Sequence, residues 1–223
     1  MTLVRKSIVA LGLALASTAA VASNDPAMDS AVMRINNGWA HIRYQVGNKD
    51  AQFNQLAALE QQAAAVVQKY PGRAEPLLWE GIVVSEEAAR ASTLRQLGLA
   101  NRARDILAKA YAINPKVADG GAAMSLGVLY YKVPGWPIGF GSTAKARSFF
   151  QQALAQDPHG LDNNFFYADF LAQEGDKAHA RQYLQRALQA PVNHDRPVWD
   201  SGRRAEDRKS TRLNSSHTDI SRM

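Results

Sequence analysis

The side chains that could bind a metal, move a proton or hold an anion are few and scattered. His41, His159, His179 and His194 lie in four separate segments, and no two fall at ligand spacing on one helix face. Each reads as a surface or loop histidine. Asp162, Asp169 and Glu174 could supply carboxylates for acid–base work, yet no partner base accompanies them. Gly139-Phe140-Gly141-Ser142 is a GxG fragment without the preceding strand or further glycine of a nucleotide loop. Its simpler reading is an N-cap, with Ser142 starting a helix that runs through Gln156. HExxH, GxSxG and Walker A patterns do not occur, and the chain has no cysteine. The expectation is a protein that is not an enzyme and uses neither metal nor cofactor.

The two ends of the chain read differently from its middle. Residues 1–22 combine Arg5 and Lys6, the apolar run Ser7 to Ala16, and the small-x-small triplet Ala20-Val21-Ala22. Those are the zones of a cleavable secretory signal, which places the mature start at Ser23 and the protein outside the cytoplasm. The apolar run is too short for a stable helix across about 30 Å of hydrocarbon, so no membrane span is expected after cleavage. Residues 207–223, Asp207-Arg208-Lys209-Ser210-Thr211-Arg212-Leu213-Asn214-Ser215-Ser216-His217 and onward, resemble the conceptual translation of a short-read sequencing adapter. That stretch is expected to be non-native and outside the fold.

The ends also account for the charge. All 223 residues carry 26 basic and 20 acidic side chains, a formal net charge of +6. Arg5 and Lys6 leave with the first segment, and Arg208, Lys209, Arg212, Arg222, Asp207 and Asp219 with the last. Residues 23–206 then hold 20 basic and 18 acidic residues, which excludes the electrostatic footprint of a nucleic-acid-binding surface.

What must position any functional group is a set of helices. Residues 49–189 are helix-compatible almost throughout, punctuated at Tyr70-Pro71-Gly72, Asn114-Pro115, Asp157-Pro158 and Ala190-Pro191. Alternation of strand type is missing. Aligning on the prolines exposes a repeated stripe: Ala103/Leu107/Ala110, Ala146/Phe150/Ala153 and Ala180/Leu184/Ala187. Small residues let a neighbouring helix approach while the large one fills the gap. The preceding helices carry matching halves at Leu77, Gly81 and Val84, at Leu126, Gly127 and Tyr130, and at Tyr167, Ala168 and Leu171. These pairs resemble tetratricopeptide (TPR) repeats. The resemblance implies an all-α, TPR-like α-solenoid of antiparallel helix pairs, a right-handed superhelix of about four repeats. In this reading, 23–72 form a degenerate N-terminal pair or cap, 73–190 the repeats, and 191–206 the start of a C-terminal capping helix.

One interval departs from the repeat. Lys132 to Ser142 insert a loop with two prolines and three glycines, which forbids helix, while Trp136, Ile138 and Phe140 are too apolar for a solvated linker. The loop either plugs the seam between helix pairs or forms a lid over the inner groove. The run Leu129-Tyr130-Tyr131-Lys132-Val133-Pro134-Gly135-Trp136-Pro137-Ile138-Gly139-Phe140-Gly141, followed by Gly160 to Tyr167, is similar to a family of secreted bacterial TPR proteins. That family is grouped with the T component of tripartite ATP-independent periplasmic (TRAP) transporters. The resemblance implies a periplasmic adaptor or scaffold working beside a solute-binding protein, in some members as a homo-oligomer.

Within such an array the first helix of each pair lines the concave face. The expected groove residues are Leu78 and Ile82, Val128 and Tyr131, and Phe165 and Asp169. With Trp136 and Phe140 closing one end, Tyr131, Lys132, Asn164 and Asp169 would be the polar handles of an aromatic cleft. Its occupant is a protein segment or, alternatively, a small apolar or organic-acid ligand. Trp79 reads as packing, and Trp39 and Trp199 as cap residues.

Overall fold

The computed structural model describes residues 25–219, and the signal-like segment 1–22 lies outside them. The described residues form nine helices: α1 (Pro26–Gln45), α2 (Lys49–Lys69), α3 (Ala74–Arg90), α4 (Thr93–Ile113), α5 (Gly121–Lys132), α6 (Thr143–Gln156), α7 (Leu161–Gln173), α8 (Lys177–Gln189) and α9 (Pro197–Asp219). Strands are absent among these residues, as the missing alternation predicts. Several helices start where a short polar side chain can satisfy first-turn N–H groups. Asp25 accepts from the amides of Ala27 and Met28 ahead of Pro26, Asn48 from Ala51, Ser142 from Lys145 and Asp176 from His179. The four punctuating prolines all fall between helices.

Consecutive helices pack as antiparallel hairpins, and the odd-numbered helices also pack on one another, α1 on α3, α3 on α5, α5 on α7 and α7 on α9. The backbones of the even-numbered helices approach only their sequence neighbours, although side chains bridge α2 to α4 (Arg102 to Glu60) and α4 to α6 (Tyr111 to Phe149). That pattern is a two-layer helical-repeat solenoid of TPR type, with odd helices inside and even helices outside. The repeated stripe is its main seal. All nine stripe positions on α4, α6 and α8 are buried, none more than 1% exposed. Leu107 fills the notch at Gly81, where a Cβ would lie 2.6 Å from Leu107 Cγ, and Phe150 fills the notch at Gly127, where it would lie 3.1 Å from the ring. A larger residue at either glycine would drive the paired helices apart.

One contact goes beyond a nearest-neighbour array. Helix α9 packs on α1 as well as on α7 and α8, so the inner helices form a closed circuit. The expected open concave face is therefore largely covered by the protein's own last helix.

A capping helix is expected to start within 191–206, and α9 begins there at Pro197. The helix does not stop at Glu206, however. It continues through Asp219, and Asp207 is fully buried, so the boundary expected at 206/207 falls inside a helix. Burial pushes the Asp207 carboxyl up to about 7 against the opposing pull of Arg203 and Arg204. Because its folded pKa lies above its unfolded one, Asp207 costs no stability in acid. The cost grows as pH rises from about 4 through 7. Asp207→Asn is thus expected to leave the melting temperature near the parental value at pH 4 and to add about 1 to 3 kcal/mol at pH 8. Thermal melts of both proteins at the two pH values check this.

Candidate functional site

At the centre of the closed circuit the inner helices bring together charged residues that are distant in sequence. Arg43 of α1 donates from Nη1 to both oxygens of Glu86 on α3 (2.8 and 2.9 Å) and from Nη2 to Oε1 of Glu206 on α9 (2.7 Å). Arg90 closes on the same Glu86 at 2.5 Å. Arg203 of α9 donates from Nε to Asp162 of α7 at 2.6 Å and from Nη1 to Glu206 at 2.5 Å. Its guanidinium lies 4.8 and 4.4 Å from the ring centres of Phe165 and Phe166. Trp199 Nε1 donates to the other oxygen of Asp162 at 3.0 Å.

Three arginines and three carboxylates therefore balance. Burial alone would raise the Glu86 carboxyl, but Arg43 and Arg90 hold it below the usual carboxylate range. Tyr44, beside this network, is pushed up to about 12 by burial and stays protonated. Every charge in the network faces an opposite charge of the same protein, which ties α1, α3, α7 and α9 together.

Beside this network the inner face keeps a cavity of about 200 Å³. Leu78, Trp79 and Ile82 of α3, Gly121 and Met124 of α5, Leu161 of α7, and Asn193, Arg196 and Trp199 line it, together with the acidic side chains Asp119, Asp157 and Asp162. Arg196 is its distinctive group. Its guanidinium lies 4.0 Å from the Trp199 ring centre and 5.4 Å from that of Trp79, and Nε donates to Asn36 at 3.0 Å. Burial pulls its pKa down, yet it remains an arginine cation at any physiological pH.

The structure redistributes the expected groove residues. Leu78 and Ile82 do line the cavity. Tyr131, Lys132 and Asp169 do come together: the Tyr131 hydroxyl donates to Asp169 Oδ2, and Lys132 Nζ stands 2.9 Å from the same oxygen. Burial and the Asp169 charge raise the Tyr131 pKa, so the hydroxyl stays a donor. This cluster joins α5 to α7, and its residues are not among those lining the cavity. Val128 is half-buried against the core of the third repeat. Phe165 is buried beneath Arg203 rather than open to a ligand. Asn164 is fully buried too, its amide donating to the carbonyls of Pro158 and Gly160 (3.0 and 2.8 Å), so it fastens the turn before α7 instead of serving as a handle.

The inserted loop is neither of the two things expected as a unit. Phe140 does plug a seam, edge-on to Tyr130 at 5.5 Å and beneath the Arg104 guanidinium at 4.6 Å, on the α4 side of α5. Trp136 is 91% exposed and Ile138 68%, so neither covers the inner face. Trp136→Ala should consequently change unfolding stability by less than about 0.5 kcal/mol, measured by denaturant titration. Among the cavity residues that sequence reasoning left out, Arg196 and Asn193 sit in the short link ahead of α9. Their only signal was the Asn-x-x-Arg-Pro run that opens that helix.

The fold and its packing define a helical-repeat protein of TPR type. Comparison with known proteins agrees: residues 138–201, covering α6 to the start of α9, match the tetratricopeptide repeat family. Among solved structures the chain is similar to a thermophilic TPR protein of Thermus thermophilus. The identity is 14% and the TM-score 0.54, over 82% of this chain and 98% of that one. No match is found among curated proteins.

Proposed function

We propose that this protein is an exported adaptor or scaffold that holds a protein partner in the periplasm, as an accessory to a TRAP-type uptake system. The observation that carries the adaptor reading is the TPR-type repeat itself, an architecture that serves protein–protein contact. Export rests on the signal-like residues 1–22, and the transporter link on the resemblance of residues 129–141 and 160–167. The test is fractionation and crosslinking of the tagged protein in its own cell. Expected are a periplasmic protein beginning at Ser23 and one crosslinked solute-binding protein. A cytoplasmic protein retaining Met1 would overturn the location, and recovery of no partner would overturn the adaptor.

A second reading, a carrier of a small apolar or organic-acid ligand, is favoured by the cavity at Arg196. Trp79, Trp199 and Leu78 supply apolar walls, and the terminal nitrogens of Arg196 supply a planar donor fork. Native mass spectrometry of freshly purified protein separates the two readings. A retained small molecule that disappears in Arg196→Ala supports the carrier, and a clean protein mass supports the adaptor.

A further inference from the structure

The other three tryptophans of the chain, Trp39, Trp79 and Trp199, are all buried, whereas Trp136 stands almost fully in solvent. Its neighbours share that exposure: Ile138 is 68% exposed, and Leu94 of α4 is 97% exposed. Leu94 lies one helical turn before Leu97, whose side chain packs beside Gly139 of the loop, so loop tip and helix start form one apolar projection.

The projection is held rigidly. Gly141 N donates to Pro134 O at 2.9 Å, Ser142 N to Tyr130 O at 2.8 Å, and Ile138 and Gly139 N both to Gly135 O at 3.1 Å. Pro134 and Pro137 have no N–H at all. Most backbone donors of the tip are thus absent or already satisfied, which is the condition for moving a segment out of water cheaply.

Charge around the tip is biased towards cations, several of them paired with carboxylates. Residues 120–156 contain no acidic side chain and three cations, Lys132, Lys145 and Arg147. Residues 88–104 contain no acid and four arginines, of which Arg90 is held by Glu86 and Arg102 by Glu60, while Arg95 lies over Phe53 of α2 at 5.1 Å. At the loop base, Lys145 lies over the Tyr130 ring at 5.2 Å and Arg104 over Phe140 at 4.6 Å. Asp105, bound to Arg104, is the one acid beside them, and Lys132 is paired with Asp169. Arg95 stands beside Leu94. A convex apolar tip with internally satisfied backbone and a cationic skirt fits a plane of anionic headgroups better than it fits a folded protein, which would need a matching concavity.

We propose that the loop of residues 133–142 docks this protein on an anionic lipid bilayer, with Trp136, Pro137 and Ile138 entering the headgroup layer and Arg104 and Lys145 facing lipid phosphates. The docking is independent of the adaptor reading.

The test is co-sedimentation of the full chain with vesicles of phosphatidylcholine containing about 30% phosphatidylglycerol. Parental protein is compared with Trp136→Ser/Ile138→Ser and with Arg104→Gln/Lys145→Gln. Residues 1–22 are common to all three and contain no tryptophan. Binding should fall about tenfold in the apolar double variant and by several-fold in the charge variant or on raising salt from about 0.05 to about 0.5 M. Brominated lipid should quench the parental fluorescence, and Trp136→Phe should abolish that quenching, because the other tryptophans are in the core. Unchanged melting temperatures confirm that both double variants fold. Equal binding by the apolar variant, equal binding to pure phosphatidylcholine, quenching that survives Trp136→Phe, or no vesicle binding at all would each overturn the proposal.

Discussion

Arg203→Ala should destabilise the protein by about 3 to 5 kcal/mol, the usual loss when one partner of a buried charge network is removed. Arg203 is 1% exposed and is the link between Asp162 on α7 and Glu206 on α9. Without it, Asp162 keeps only the Trp199 N–H, and Glu206 keeps Arg43 and a long contact to Tyr44. Phe165 and Phe166 also lose the guanidinium that covers them. The damage should concentrate at α9, so hydrogen exchange in α9 should accelerate before that in α3 and α4. Arg203→Met separates the causes: it restores much of the packing but not the charge, so a loss close to that of alanine means the stranded carboxylates dominate. An alanine variant within about 0.5 kcal/mol of the parent would show that α9 contributes little to holding the inner face together.

Phe150→Ala should cost a similar amount, about 3 to 5 kcal/mol, through a different mechanism. Phe150 has no exposed surface and sits among Tyr131, Tyr167 and Phe170, with ring centres 5.5 to 5.8 Å away. Its ring fills the notch at Gly127. Backbones separated by aromatic width cannot collapse into the space left behind, so most of the cavity persists and its cost is retained. Denaturant titration with an unchanged slope would identify a pure stability loss.

These two residues also mark what the sequence reveals and what it hides. Phe150 was legible because repeats are local: Ala146, Phe150 and Ala153 lie on one helix, their partners lie on the adjoining one, and the same spacing recurs at Leu107 and Leu184. Helix ends were legible for the same reason, since Ser142 and the interhelical prolines act within a few residues of their own position. Arg203 was not legible. Its partners lie on α7 and within α9, and Arg43 meets Glu206 across 163 residues of sequence. No periodicity encodes a meeting between the first and last helices, so nothing in the chain's local pattern announces that α9 covers the inner face.

The groove residues show the same division. Leu78 and Ile82 line the cavity because position on α3 decides their side, whereas Phe165 lies beneath α9 and Asn164 fastens the turn before α7. For the inserted loop, composition excluded helix, but the expectation that its apolar side chains leave solvent holds for Phe140 and fails for Trp136 and Ile138. Composition could not show that Phe140 would turn inward while Trp136 turned out.

The contact between α1 and α9 also bears on how the molecule assembles. Stacks joined only to their neighbours grow from any nucleus and fray from either extremity. Here, drawing Asn36 to Arg196 requires a closure spanning 160 residues, whose entropic cost falls on a late event after the intervening layers have formed. A force applied to the two termini would therefore meet a clasp before it met the stack. Opening that clasp should precede the peeling of individual layers.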